Sequence, residues 1–225
     1  MLVKKHTKLF VRNTMPLIVG DIHGKVPQLL NLVKMQGEAE TIQIGDWGMG
    51  FQPMHLIQEQ FMPPNTRFIR GNHDNPAVCR AQTSFIEDGT IEGNRMFIGG
   101  AWSIDHMWRT PGVSWWHDEE CSIEQLEGFV DKAVREKPEV MITHDGPQEI
   151  IPEIFNDVIL HKDKLPTRTG QAFDRIRQLV QPKLWIFGHW HIDRRMFIDK
   201  CEYVCLAELS GRHVDFDTLH VGELV

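Results

Sequence analysis

Residues 16–24 read PLIVGDIHG: three apolar residues with strong strand preference run straight into a glycine and then a carboxylate and an imidazole. The same construction recurs four times, as TIQIGDWG at 41–48, RFIRGNHD at 67–74, VMITHDGP at 140–147 and LWIFGHWH at 184–191. Each run is a short apolar stretch rich in strand formers that passes straight into a polar tip. Between the first two runs, KVPQLLNLVKMQ places Val26, Leu29, Leu30 and Val33 at i, i+3, i+4 and i+7, one face of a helix. SIEQLEGFVDKAVREK opens on Ser122 as N-cap with Gln125 three residues on, and Gly170 to Val180 forms a further amphipathic run that Pro182 stops.

Strands alternating with helices imply a mainly parallel sheet, in which ligands gather beyond the carboxyl ends of the strands. All five polar tips are therefore expected at one edge. The C-terminal runs RRMFID, EYVCLAEL and RHVDF read as short strands with tight connections and predict a second, more antiparallel sheet packed on the first. Residues 15–225 are expected to form one domain with a Trp-rich loop at 101–121, and residues 1–14, which include TKLFVRN, an N-terminal extension or an edge strand.

At 225 residues the chain can bury a sizeable core, and its formal net charge of −7 argues against a general nucleic-acid or anionic-membrane coat, either of which needs a basic excess. No apolar stretch approaches the roughly 18 to 20 residues that span a bilayer, and MLVKKHTKLFVRN lacks the long apolar centre of a signal peptide. A soluble, cytoplasmic protein without a membrane partner is expected. Cys79, Cys121, Cys201 and Cys205 form no CxxC framework, which fits thiols in a reducing compartment. Cys201 and Cys205 could share a metal or a disulfide, but two thiols on or beside a hairpin is the simpler reading.

The tips carry the chemistry. Asp21 and His23 stand two apart, so a continued strand pleat would point both to one side. Asp46 ends the next run, Asn72, His73 and Asp74 the third, His144 the fourth, and His189 and His191 the fifth. So many titratable groups at one edge are costly to bury unless cations compensate them. Asp21, His23, Asp46, Asn72, His144, His189 and His191 are too many donors for one ion that keeps an open position, so two ions fit better. Mixed imidazole and carboxylate suits manganese, iron or zinc.

Taken in order, GDIHG, GD, GNHD, a later histidine in THDG, and GHWH resemble the calcineurin-like metallophosphoesterases, over most of the chain from Asp21 to His191. The resemblance implies an α/β fold, a four-layer α/β/β/α sandwich of two mixed sheets with a dinuclear centre at the strand ends. It implies that Asp21, His23 and His191 hold one metal, that Asn72, His144 and His189 hold the other, and that Asp46 bridges them. The implied activity is hydrolysis of a phosphomonoester or phosphodiester by attack of a metal-bridging hydroxide, with two divalent transition-metal ions, manganese first, as cofactors. Two carboxylates and a hydroxide against two divalent ions leave a positive centre that attracts phosphate.

The leaving alkoxide needs a proton. His73, beside a metal ligand, fits that role, with Asp74 placed to orient its ring and raise its pKa. The segment GGAWSIDHMWRTPGVSWWHDEECS resembles loops of bacterial and phage-type members and either brings Arg109 to a phosphate oxygen and a tryptophan to a base or leaving group, or seals a small aromatic core of its own. Arg70, at a strand end, is expected in a structural ion pair. Protein serine/threonine phosphatases share GDIHG and RGNH but continue their second motif to an Asp-Arg-Gly that is missing after GDWG. That departure weighs against a phosphoprotein substrate and toward diesters or nucleotides, including nucleic acid. The competing reading, a non-catalytic metal-binding scaffold of the same fold, would show a degraded site, whereas here every ligand position and His73 are present.

Overall fold

The computed structural model describes residues 15–51, 62–155 and 166–225; the expected extension at 1–14 lies outside them. The first sheet holds β1 (Leu17–Val19), β2 (Thr41–Ile44), β3 (Thr66–Ile69), β10 (Gly211–Asp215) and β11 (His220–Leu224) in the order β11-β10-β1-β2-β3. The second holds β4 (Thr90–Glu92), β5 (Arg95–Ile98), β6 (Val140–Thr143), β7 (Leu184–Phe187), β8 (Arg194–Ile198) and β9 (Cys201–Cys205) in the order β4-β5-β6-β7-β9-β8. Strands β1, β2 and β3 are parallel, as are β5, β6, β7 and β9, while β10 pairs antiparallel with β1, β11 with β10, β4 with β5 and β8 with β9.

Two expectations are corrected here. The five tips do not sit on one sheet: three end β1, β2 and β3, and two end β6 and β7. Nor does the C-terminal region form its own sheet, since β8 and β9 complete the second sheet and β10 and β11 the first. Strands buried on both faces carry unbroken apolar runs, so their sequences do not say which sheet they join.

Alternation within those runs builds the layers. Ile18, Ile42, Ile44 and Ile69 of the first sheet meet Phe97, Val140, Ile142, Leu184, Ile186 and Val204 of the second in one buried cluster between the sheets. Their neighbours face outward: Leu17, Val19 and Phe68 toward α1 (Val26–Met35), and Met96, Ile98, Met141, Trp185 and Phe187 toward α3 (Ile123–Glu136) and α5 (Arg168–Val180). The result is an α/β/β/α sandwich. In α1 the stripe is narrower than expected: Val26, Leu29 and Val33 are buried, while Leu30 is exposed. Short helices α2 (Pro76–Arg80) and α4 (Ile151–Ile154) follow the third and fourth tips. Among the described residues no helix is long and apolar enough to cross a membrane, and all four cysteines are free and buried.

Arg70 is the expected structural ion pair. Its buried guanidinium donates to Asp88 Oδ2 at 2.7 Å and to the carbonyls of Asp118 and Glu119 at 2.9 and 2.7 Å. It thereby ties the end of β3 to the far arm of the Trp-rich loop. The start of α3 is fixed as the sequence specifies: Ser122 Oγ accepts from Gln125 N, and the Gln125 side chain accepts from Ser122 N, a reciprocal capping box. Ser122→Ala is expected to lower global stability by about 1 kcal/mol in urea denaturation, with the native circular dichroism spectrum unchanged; no loss of stability would contradict the cap's contribution.

Candidate metal centre

The tips converge in the cleft between the carboxyl ends of the two sheets, but they turn to do so. His23, Asp46, His189 and His191 adopt left-handed backbone conformations with φ of 42°, 54°, 67° and 54°. Each costs a non-glycine residue roughly 1 to 3 kcal/mol. The pleat expected to align Asp21 with His23 therefore does not persist: β1 ends at Val19, and the turn aims the histidine. Two glycines make room. A Cβ on Gly71 would lie 2.1 Å from Asp46 Oδ1, and one on Gly188 would lie 2.4 Å from Asp21 Oδ1.

Two groups of donor atoms result. In the first, the ring nitrogens of His23 and His191 and carboxylate oxygens of Asp21 and Asp46 all lie within 4.8 Å of one another. His23 Nε2 and His191 Nε2 are 2.9 Å apart, and Asp21 Oδ2, 3.0 Å from His191 Nε2, is buried without a well-formed hydrogen bond. In the second, Asn72 Oδ1 sits 3.1 Å from His144 Nε2 and 2.9 Å from His189 Nδ1. Asp46 touches both groups, with Oδ1 3.3 Å from His144 Nε2 and Oδ2 3.7 Å from His23 Nε2.

The electrostatics call for positive charge. Asp21 and Asp46 are buried, and among the described residues neither pairs with a lysine or arginine; their ionic neighbours are histidines. Burial would raise the Asp46 pKa, but His144, His73 and His23 hold it well below the usual carboxylate range. Burial alone would lower the His144 pKa, yet the Asp46 and Asp21 carboxylates push it up to about 10. A proton on His144 stands in for a cation there. His144 Nδ1 donates to the Ile44 carbonyl at 2.9 Å and keeps its proton there, so that loss of the Nε2 proton leaves the Nε2 lone pair facing the cleft, the tautomer a metal ligand needs. Buried carboxylates without basic partners, an unsatisfied Asp21 oxygen and clustered imidazole nitrogens fit divalent cations.

His73 lies at the rim. Its backbone N–H donates to Asp46 Oδ1 at 2.7 Å, and its ring stacks on Phe51 and meets His23 edge-on. Burial depresses its pKa to about 4; the Asp46 charge opposes this, and Arg109 and His23 reinforce it. The expectations for Asp74 are corrected. It makes no hydrogen bond to the His73 ring among the described residues. Its carboxylate instead accepts from the backbone N–H groups of Trp47, Gly48, Met49 and Gly71 at 2.6 to 3.1 Å, which locks the second tip to the third. With its oxygens so engaged, Asp74 has no free lone pair directed at the ring, and the His73 pKa falls rather than rises.

The Trp-rich loop does reach the centre. Arg109 Nη2 donates to His73 Nε2 at 2.5 Å and pairs with Asp105 at 2.6 Å, and Nη1 donates to Ser103 Oγ at 3.1 Å. The loop also has its own aromatic contacts, from Trp102 to His106 to Trp115 to His117, while Trp116 packs against Phe51 and Trp108 is 88% exposed. Sequence reasoning missed Phe51, Asp145, which accepts from Trp190 Nε1 at 2.9 Å, and the buried pair Ser103 and Glu119. The GGAWS and HDEE strings hold the last two, but nothing in their spacing connects them.

The family model for calcineurin-like phosphoesterases matches residues 16–193. No curated protein matches. Among solved structures, a dimetal phosphatase from Danio rerio is similar at 10% identity and a TM-score of 0.50, over 89% of this chain and 93% of that one. A phosphoesterase from E. coli is similar at 12% identity and a TM-score of 0.40, over 93% and 97%. A predicted phosphoesterase from Streptococcus pneumoniae gives 11% and 0.39, over 88% and 80%.

Asp74→Asn tests the corrected role. An amide has one acceptor oxygen and would aim its NH2 at backbone donors, so a stability loss of about 3 kcal/mol is expected, on the scale of charged hydrogen bonds. Chemical denaturation of the metal-free protein measures it; unchanged stability would show that the carboxylate does not hold the two tips together.

Proposed function

Because the chain belongs to the calcineurin-like phosphoesterase family, we propose that it hydrolyses phosphate esters at a dinuclear centre whose two metal sites share Asp46. The observation that carries this reading is the Asp46 carboxylate itself, which presents one oxygen to the His144 side of the cleft and the other to the His23 side. Asp21, His23 and His191 would hold one ion, and Asn72, His144 and His189 the other. When bound, divalent ions such as manganese, iron or zinc supply Lewis acidity toward phosphoryl oxygens and make water acidic near neutral pH.

This chain's own residues position and discharge the ester. Arginine has only donors, so His73 Nε2 accepts from Arg109 and carries no proton in the resting state. An arriving phosphate oxygen competes for the same guanidinium, which matches it in a two-pronged fashion. Moving Arg109 onto the phosphate frees Nε2, and the incoming negative charge raises the affinity of His73 for a proton. His73 Nε2 then takes a proton from solvent and passes it to the leaving oxygen, its ring held by Phe51 and by the bond from its backbone N–H to Asp46. Among the described residues Arg109 is the arginine that reaches His73 at the rim, and the Asp-Arg-Gly missing after GDWG would have supplied another, which favours diesters or nucleotides over phosphoproteins.

Retention of both donor groups and of His73 speaks for catalysis over a scaffold role. The test is hydrolysis of p-nitrophenyl phosphate and bis-p-nitrophenyl phosphate with added manganese. Turnover of at least one ester is expected, with two equivalents of manganese bound by the wild type and fewer by Asp46→Asn. His73→Asn is expected to reduce kcat about 100-fold, more for an alkyl than for an aryl leaving group. Arg109→Ala is expected to lower kcat/KM about 10-fold or more. Absence of turnover on either ester, or full activity in His73→Asn, would overturn the reading.

A further inference from the structure

We infer that Ser103 and Glu119 are positioning residues that set the Asn72 amide with its oxygen toward the second metal site; this rests on the reading of Asn72 as a ligand given above. All three side chains are buried. Glu119 takes both donors of Ser103: the backbone N–H reaches Oε1 at 2.8 Å and the hydroxyl reaches Oε2 at 2.5 Å. The only hydroxyl proton is thereby committed, and Oγ is left with two acceptor lone pairs. Arg109 Nη1 occupies one at 3.1 Å, and Asn72 Nδ2 occupies the other at 3.1 Å.

A side-chain amide can turn over and exchange its oxygen for its nitrogen at almost no steric cost, so its orientation depends on its partners. Here the partner accepts only. Turned over, Asn72 would set its carbonyl against the lone pairs of Ser103 and its NH2 toward the metal site, where a donor cannot ligate. With Nδ2 on Ser103, Oδ1 faces His144 and His189. Ser103 and Glu119 stand on opposite arms of the Trp-rich loop, and the same hydroxyl anchors Arg109. One polar point thus joins the loop to a metal ligand and to the guanidinium at the rim.

Glu119→Gln nearly preserves shape and reverses polarity. The new carbonyl must accept from Ser103 N–H, its NH2 then points at Oγ, and the displaced hydroxyl proton turns toward Asn72 and favours the turned-over amide. In manganese titrations at pH 8, Glu119→Gln and Ser103→Ala are each expected to weaken one of the two sites about 10- to 100-fold and to leave the other at wild-type affinity. Asn72→Ala should lose one equivalent outright. If Asn72→Ala keeps both equivalents, the ligand reading itself fails. If it loses one while Glu119→Gln and Ser103→Ala bind like the wild type, or weaken both sites together with a fall in Tm, the positioning role is wrong. Should those two variants not fold, the wild-type 1H–15N spectrum decides: an Asn72 side-chain N–H protected from exchange is expected, and rapid exchange of both protons would overturn the inference.

Discussion

Asp21 and Asp46 carry charge into a cleft where no lysine or arginine meets them among the described residues. Isolated carboxylates in such a place are so unfavourable that they attract protons or cations. In the metal-free chain the nearest answer is His144, held protonated between them. The rest of the site follows from that constraint: imidazoles gather around the acids, the Asn72 oxygen faces the same space, and the chemistry of these donors suits divalent cations. The sheets exist to bring these groups together, three tips from one and two from the other.

Holding them there requires local conformations that the chain would not choose. Four of the donor residues sit in the left-handed region, and glycines at 71 and 188 let neighbouring tips approach within a distance that a methyl group would block. Such strain persists only where the surroundings over-determine it. Asp74 supplies part of that restraint through four backbone N–H groups, and the apolar cluster between the sheets supplies the rest. Arg70 and Ser103 then fasten the Trp-rich loop over the rim.

Much of this arrangement is legible in the sequence. The five strand-to-tip transitions, the helix faces and the Ser122 cap are local properties, and local patterns are written in consecutive residues. The division of the tips between two sheets is not legible, because LWIF and LIV read alike in any strand buried on both faces. The pleat drawn through Asp21 and His23 fails because a left-handed residue cannot be seen in a sequence. Adjacency also misleads at Asn72-His73-Asp74, where neighbouring side chains point to different partners: Asn72 to the cleft and Ser103, His73 to Phe51 and Arg109, Asp74 to backbone amides. Ser103 and Glu119, sixteen positions apart, meet only through the path of the loop.

Central to the proposed chemistry is the place of Asp46 between two metal sites with different ligand sets. Crystals grown with manganese and measured at an energy where the metal scatters anomalously test it directly. Two peaks are predicted in the cleft, one beside Asp21, His23 and His191 and one beside Asn72, His144 and His189, with Asp46 between them. A single peak, or peaks away from Asp46, would contradict it.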